Sequence, residues 1–414
     1  VSYGDYYTQG AYYLCSVADS VFLNPQGSVS LVGLASQGLF FTGLAEKIGV
    51  EHYIFKVGTY KSAVEPFFLK KFSDANREQL TSFLGSVWGN LTTAIEKSRN
   101  ISSDELDRYL NEGLAMGQAS NAVDYKLADG LRYRYEVENC VKEMAGQDVK
   151  GKLKTAGVDK VASIKVKEKD SGNKIAVLYA EGEIRDDDSS SPFSADEQVI
   201  SEEMANKLRK LKDDDDVKAV VFRVNSPGGS AYISEQIWKE VVELKAKKPI
   251  VVSMGNYAAS GGYYISCAAN KIVAERTTLT GSIGVFGVVR NFTGTFDKVG
   301  VTTDIVKTNT FADLGDISRP MREDEKALIQ RGVEQTYDLF LTRCADGRGM
   351  TKAEIDSIGQ GRVWTGEQAL ERGLVDQLGG MDDAIKEAAT LAELTDYSVI
   401  VADGPKDFFT KFME

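Results

Sequence analysis

The chain has 414 residues, 43% of them apolar and 27% charged, which suits two or three packed domains and excludes global disorder. Its formal net charge of −12 leaves no electrostatic footprint for nucleic acid and disfavours an anionic membrane surface. No apolar run nears the roughly 18 residues of a membrane span, and the N-terminus does not read as a signal peptide.

In chain order, the first feature is half of an internal repeat. Residues 1–61 align without a gap to residues 252–312 at a constant offset of 251, with 18 of 61 positions identical where chance gives about four. VSYGDY from Val1 faces VSMGNY from Val252, and FTG at Phe41 faces FTG at Phe292. Farther on the offset slips, and residues 119–131 resemble residues 365–378. We therefore expect an N-terminal repeat over 1–138, a linker over 139–172, a C-terminal repeat over 173–400 and a tail over 401–414. The linker is rich in Lys, Gly, Asp and Ser, as a solvated connection is. The second repeat opens with material the first lacks: strand (KIAVLYAEGEI), helix (197–211), strand (KAVVFRV), glycine turn, helix (234–245), strand (PIVVSM). That alternation predicts βαβ units on a largely parallel sheet, hence an α/β fold. The first repeat matches only from mid-strand, so roughly 80 residues or more of βαβ material are expected upstream, with any membrane anchor. The acidic runs DDDSSS (186–191) and DDDD (213–216) read as solvated loops, because consecutive carboxylates repel and do not converge on a site.

The chemistry is narrowed by one count. There is a single histidine, His52, so a multi-histidine metal site is impossible. The four cysteines, Cys15, Cys140, Cys267 and Cys344, show no CxxC spacing and read as buried thiols. Three strings in the second repeat stand out. NSPGGS (225–230) follows a strand, where open α/β sheets bind ligands and where glycine N–H groups approach a substrate oxygen. AASGGYYIS (258–266) places Ser260 before a helix expected over 262–269. Such a serine is either a helix N-cap or a nucleophile on a tight turn. TGSIGVFG (280–287) is not a dinucleotide fingerprint: its glycines have the wrong spacing. The repeat weighs between these readings. Ser260 faces Gln9 in the first repeat, and Lys61 faces Ala312 in the second. Each copy keeps what the other lacks, as expected if one active site takes Ser260 from one copy and Lys61 from the other.

NSPGGS, AASGGY, LTGSIGVFG and GTYKSAVEPF together resemble the signal peptide peptidase A (protease IV) family in its long tandem-repeat form, over essentially the whole chain. The resemblance implies two tandem repeats of the Clp protease/crotonase-like fold, the first incomplete. It implies a serine endopeptidase with Ser260 as nucleophile, Lys61 as general base and Ser282 orienting the lysine, and an oxyanion hole from the N–H groups of Gly228 and Gly261. It further implies signal-peptide substrates, no metal or cofactor, a homo-oligomer (a tetramer in the family), and an inner-membrane anchor with the catalytic part facing the periplasm. For Lys61 to act as a base its pKa must fall by roughly 2–3 units, which burial beside Tyr60, Ala63 and Val64 would supply. Glu65 is then expected to face elsewhere, and His52 to be structural. Ser282–Val288 and Tyr257 are candidates to line a cleft for apolar peptide side chains. Two other readings remain: a crotonase-like acyl-CoA enzyme that uses Gly228 and neighbouring N–H groups without a serine nucleophile, and a non-catalytic scaffold that binds peptides.

Overall fold

The computed structural model of the chain describes residues 1–162, 164, 171–186 and 198–402. Most of the acidic run 186–191, part of the expected linker and most of the expected tail lie outside the described residues. The chain is mixed α/β and forms two compact units. One comprises Val1–Ser36 and Leu84–Glu168; the other comprises Gln37–Phe83 and Lys169–Glu414. Residues 37–83 of the first repeat thus fold with the second repeat.

The larger unit is built on an eight-stranded sheet. From one edge its path runs Val363–Thr365, Leu279–Gly281, Ile250–Ala259, Val217–Ser226, Lys174–Glu181 and Ser398–Val401; Lys271–Ala274 joins Ile250–Ala259 and carries Gln377–Leu378. Every pairing is parallel except that of Val363–Thr365 with Leu279–Gly281. Residue parity explains why these strands read as continuous apolar runs. Leu178, Phe222, Val224 and Val252 pack in one cluster with Leu208 and Ile237, which lie on the helices Glu203–Asp213 and Ala231–Lys245. Their neighbours Val177, Val221 and Val251 pack on the opposite face with Ala384 and Ala388 of the helix Met381–Leu391. A parallel sheet covered on both faces needs apolar residues at every position.

Several helix boundaries differ from the sequence expectation. The one expected over 197–211 spans Glu203–Asp213. The one expected from 234 starts at Ala231, because Ser230 caps it by accepting a hydrogen bond from Ile233 N–H (3.4 Å). The helix after Ser260 lasts one turn, Gly261–Tyr264. Beyond it the carbonyl of Ala268 accepts a hydrogen bond from Lys245 Nζ (2.9 Å).

The smaller unit holds three parallel strands, Ser2–Thr8, Val21–Ser30 and Gly130–Leu131, over a core that includes Tyr12, Leu23, Ile95, Leu106 and Leu127. Its internal bonds reproduce those of the second repeat. Tyr12 Oη donates to Leu127 O (2.7 Å), as Tyr263 Oη donates to Leu374 O (3.0 Å). Asp129 accepts from Val21 N–H and pairs with Arg99, as Asp376 accepts from Ile272 N–H and pairs with Arg348. The tandem repeat read from 18 identities is therefore also a repeat of hydrogen bonds.

Candidate active site

Strand register builds the site. Ile250–Ala259 and Leu279–Gly281 are parallel neighbours, with Ala259 opposite Gly281. The next residue of each is a serine, so Ser260 and Ser282 emerge side by side at the carboxyl ends of adjacent strands, where open α/β sheets place their sites. The third participant arrives by a second pairing. Val285–Asn291 runs antiparallel to Glu51–Val57, with Val285 opposite Val57. Ser282 lies three residues before that pair and Lys61 four residues after it, so the pairing returns the lysine to the serines.

The contacts follow from this register. Lys61 Nζ lies 3.0 Å from Ser260 Oγ, 3.1 Å from Ser282 Oγ and 2.9 Å from the Ser282 carbonyl oxygen. Lys61 is 4% exposed. Burial lowers its pKa from 10.5 to about 7, because desolvation disfavours the ammonium ion. Glu65 does not oppose this. It is buried, but its carboxylate accepts from Ser73 Oγ (2.5 Å), Ser73 N–H (3.2 Å) and Asn76 Nδ2 (2.9 Å), away from the lysine amine.

Ser260 has φ +54° and ψ −119° and makes no side-chain cap hydrogen bond to the helix that follows. The N-cap reading of this serine therefore does not hold. Positive φ at a residue with a Cβ is unfavourable and tends to mark positions that the surrounding structure dictates. Ser260 N–H is fixed by the carbonyl of Gly281 (2.9 Å). Ser282 also has positive φ, +52°.

The glycine turn of NSPGGS sits directly against the serine. A Cβ on Gly228 would lie 2.6 Å from Gly261 N and 2.8 Å from Ser260 Cβ, so only glycine fits this approach. Gly228 N–H donates to Ser226 Oγ (3.1 Å). The bridge between this turn and Ile184 uses the Gly228 carbonyl and the Ser230 N–H, which turns Gly229 N–H away from Ile184. A Cβ on Gly261 would lie 3.1 Å from Gly229 N. The resemblance pointed to Gly228 for the oxyanion hole, but in the structure the Gly228 N–H is taken by the Ser226 hydroxyl.

His52 lies within the strand Glu51–Val57, paired with Arg290, its ring 5.1 Å from that of Phe67. Burial, then the Arg290 charge, lower its pKa. Tyr257 and Phe286 are 39% and 43% exposed.

Comparison with known sequences gives the chain's relatives. The profile of Peptidase family S49 matches residues 1–148 and again 242–395, and the Clp protease profile matches residues 193–283. The chain is 40% identical over 398 residues to Protease 4 of Salmonella typhi, covering 94% of this chain and 63% of that protein. It is 37% identical over 401 residues to Protease 4 of Haemophilus influenzae, covering 94% and 64%. It is 32% identical over 389 residues to Serine protease SPPA, chloroplastic, of Arabidopsis thaliana, covering 92% and 57%. The chain thus spans less than two thirds of the length of these relatives. One profile that matches twice, over the two copies of a repeat whose serine and lysine meet, identifies the chain as a member of peptidase family S49.

Proposed function

We propose that this chain carries the Ser/Lys active site of a serine endopeptidase acting on cleaved signal peptides and other short hydrophobic peptides. The observation that carries the reading is the buried 3.0 Å contact between Lys61 Nζ and Ser260 Oγ, in surroundings that favour the neutral amine. Neutral Lys61 takes the hydroxyl proton as Ser260 Oγ attacks the peptide carbonyl. The lysine then delivers that proton to the leaving amine, giving an acyl-enzyme. Water, deprotonated by the same lysine, hydrolyses the ester and regenerates the serine. Ser282, within hydrogen-bond distance of Lys61 through both its hydroxyl and its carbonyl, aims the amine. Gly261 N–H is one oxyanion donor. Gly228 N–H is engaged by Ser226, so we assign the second donor to Gly229 N–H.

The substrate class rests on the family and on the apolar surface beside the site, which includes Tyr257 and Phe286. The names of the Protease 4 relatives support peptide hydrolysis. An inner-membrane location facing the periplasm belongs to the same proposal. So does assembly with further copies of the chain, and the repeat suggests how. Residues 34–40 and 302–308 are the repeat counterparts of the strands Val285–Asn291 and Glu51–Val57, and both lie outside named strands. Leu39 and Val306 in them are 66% and 99% exposed. Pairing these segments between copies would place Ser36 opposite Val306. A disulfide cross-link between chains carrying Ser36→Cys and Val306→Cys, absent with Ser36→Cys and Ile305→Cys, is the expected result.

A serine-directed fluorophosphonate, read by intact mass and peptide mapping, tests the catalytic reading. Labelling is expected at Ser260, with loss in both Ser260→Ala and Lys61→Ala. A folded chain that hydrolyses apolar peptides without labelling at Ser260 would overturn it. A folded chain with no labelling and no hydrolysis would favour the scaffold.

A further inference from the structure

The turn that carries Lys61 has no regular element of its own. Residues 58–61 follow the strand Glu51–Val57 as coil and turn. A long flexible side chain keeps a fixed reach only if its backbone is held. Here the backbone is held by a segment some 300 residues away in the chain. Tyr60 N–H donates to Gln360 O (2.8 Å), and Thr59 N–H donates to Gln360 Oε1 (3.3 Å). Gly361 packs so closely that a Cβ on it would lie 2.6 Å from Lys61 Cβ. The same segment also holds the lysine's partner: Ser282 N–H donates to Arg362 O and Gly361 N–H to Ile283 O, both at 2.7 Å. Residues 360–362 therefore splint the lysine turn to the serine turn.

The splint is itself under constraint. Gln360 has φ +53°, which a glutamine rarely adopts. Its side chain is anchored: Gln360 Nε2 donates to Asp356 Oδ1 (2.6 Å), and Tyr337 Oη donates to the same oxygen (2.5 Å). Gln360 N–H donates in turn to Tyr337 Oη (3.3 Å). Carboxylate, phenol and amide thus fix one residue in an unfavourable conformation next to the proposed base, the kind of strain that surrounding structure must over-determine.

We infer that Gln360, tethered by Asp356 and Tyr337, is a positioning residue that sets the reach of Lys61 to Ser260 and Ser282. This rests on the Ser/Lys reading above. Four charged groups flank the lysine turn, among them Glu78, which accepts from Tyr60 Oη (2.9 Å). Glu65 is bound to Ser73 and Asn76. Arg362 pairs with Glu78 and lies over the rings of Tyr60 and Trp364. Asp356 stands behind Gln360.

The test compares the whole wild-type chain with Gln360→Ala, Gln360→Gly and Asp356→Asn by the rate of fluorophosphonate labelling at Ser260 as a function of pH. Labelling is expected to slow by about 10- to 100-fold, as for an ångström-scale misplacement. The midpoint of its pH profile is expected to move up towards the ordinary lysine range, because a loosened turn admits water to the amine. Circular dichroism and the thermal midpoint would establish that the variants are folded. Gln360→Gly relieves the backbone but lacks the tether, so it is expected to behave like Gln360→Ala. Rates and midpoints equal to wild type would overturn the inference. So would a loss of labelling amplitude that tracks the unfolded fraction at an unchanged midpoint, since that is a structural role alone. Failure of the wild-type chain to label would instead overturn the Ser/Lys reading on which the inference stands.

Discussion

Gln9 and Ser260 occupy the same position of the repeat, and the chain treats them in opposite ways. Gln9 is the first residue of the helix Gln9–Cys15, and Thr8 before it caps that helix from an ordinary extended conformation, φ −65° and ψ 158°, accepting from Ala11 N–H (3.3 Å). Ser260 stands outside its helix, with positive φ and no cap hydrogen bond. The turn is relaxed in the copy that lost the serine and strained in the copy that kept it. The strain goes with the serine rather than with the fold, since both copies make the same Tyr–carbonyl and Arg–Asp bonds around the turn.

The largest difference between the two positions should appear when the side chains themselves are removed. Ser260→Ala and Lys61→Ala are each expected to lower peptide hydrolysis by about 10⁴-fold or more, while Gln9→Ala changes it by less than about twofold, as measured by kcat/KM on an apolar peptide. The pH dependence comes next. The rate is expected to rise with a midpoint of about 7, falling about tenfold per pH unit below it as Lys61 takes up a proton. Stability should answer in the window above that midpoint. Between about 7 and 10.5 the unfolded chain still holds a proton on Lys61 that the folded chain has released, so this group makes stability rise with pH there. Lys61→Met should therefore stabilise the chain by about 2–4 kcal/mol at pH 7, with the gain fading towards pH 10, in urea unfolding at several pH values. The smallest effect separates the two turns directly. Ser260→Gly relieves positive φ and is expected to stabilise by about 1 kcal/mol, whereas Gln9→Gly in a relaxed helix is expected to destabilise by about 0.5–1 kcal/mol.

The sequence made the outline of the site legible because two copies could be compared within one chain. The complementary loss at Gln9 and Ala312 pointed to Ser260 and Lys61 without any structure. The strands were legible from their apolar runs, since a sheet buried on both faces writes itself into the sequence at every residue. The helix start at Ala231 was missed because Ser230 was read only as part of a glycine turn, although a serine there is also a cap signal. The resemblance pointed to Gly228, and nothing in a run of adjacent glycines tells that the Ser226 hydroxyl takes the Gly228 N–H. Gln360 was out of reach for another reason. Its left-handed backbone and its bonds to Thr59 and Tyr60 are imposed by tertiary contact, and no local pattern around residue 360 encodes them.

Everything proposed for the site depends on Lys61 being a neutral amine held against Ser260 near neutral pH. The most direct test is an NMR titration of the lysine side chains in the whole chain, with Lys61→Met to assign the resonance. The expected result is one lysine that titrates near 7 and vanishes in the variant. If every lysine, Lys61 included, titrates in the ordinary range near 10.4, the lysine is a charged neighbour of the serine and not its base.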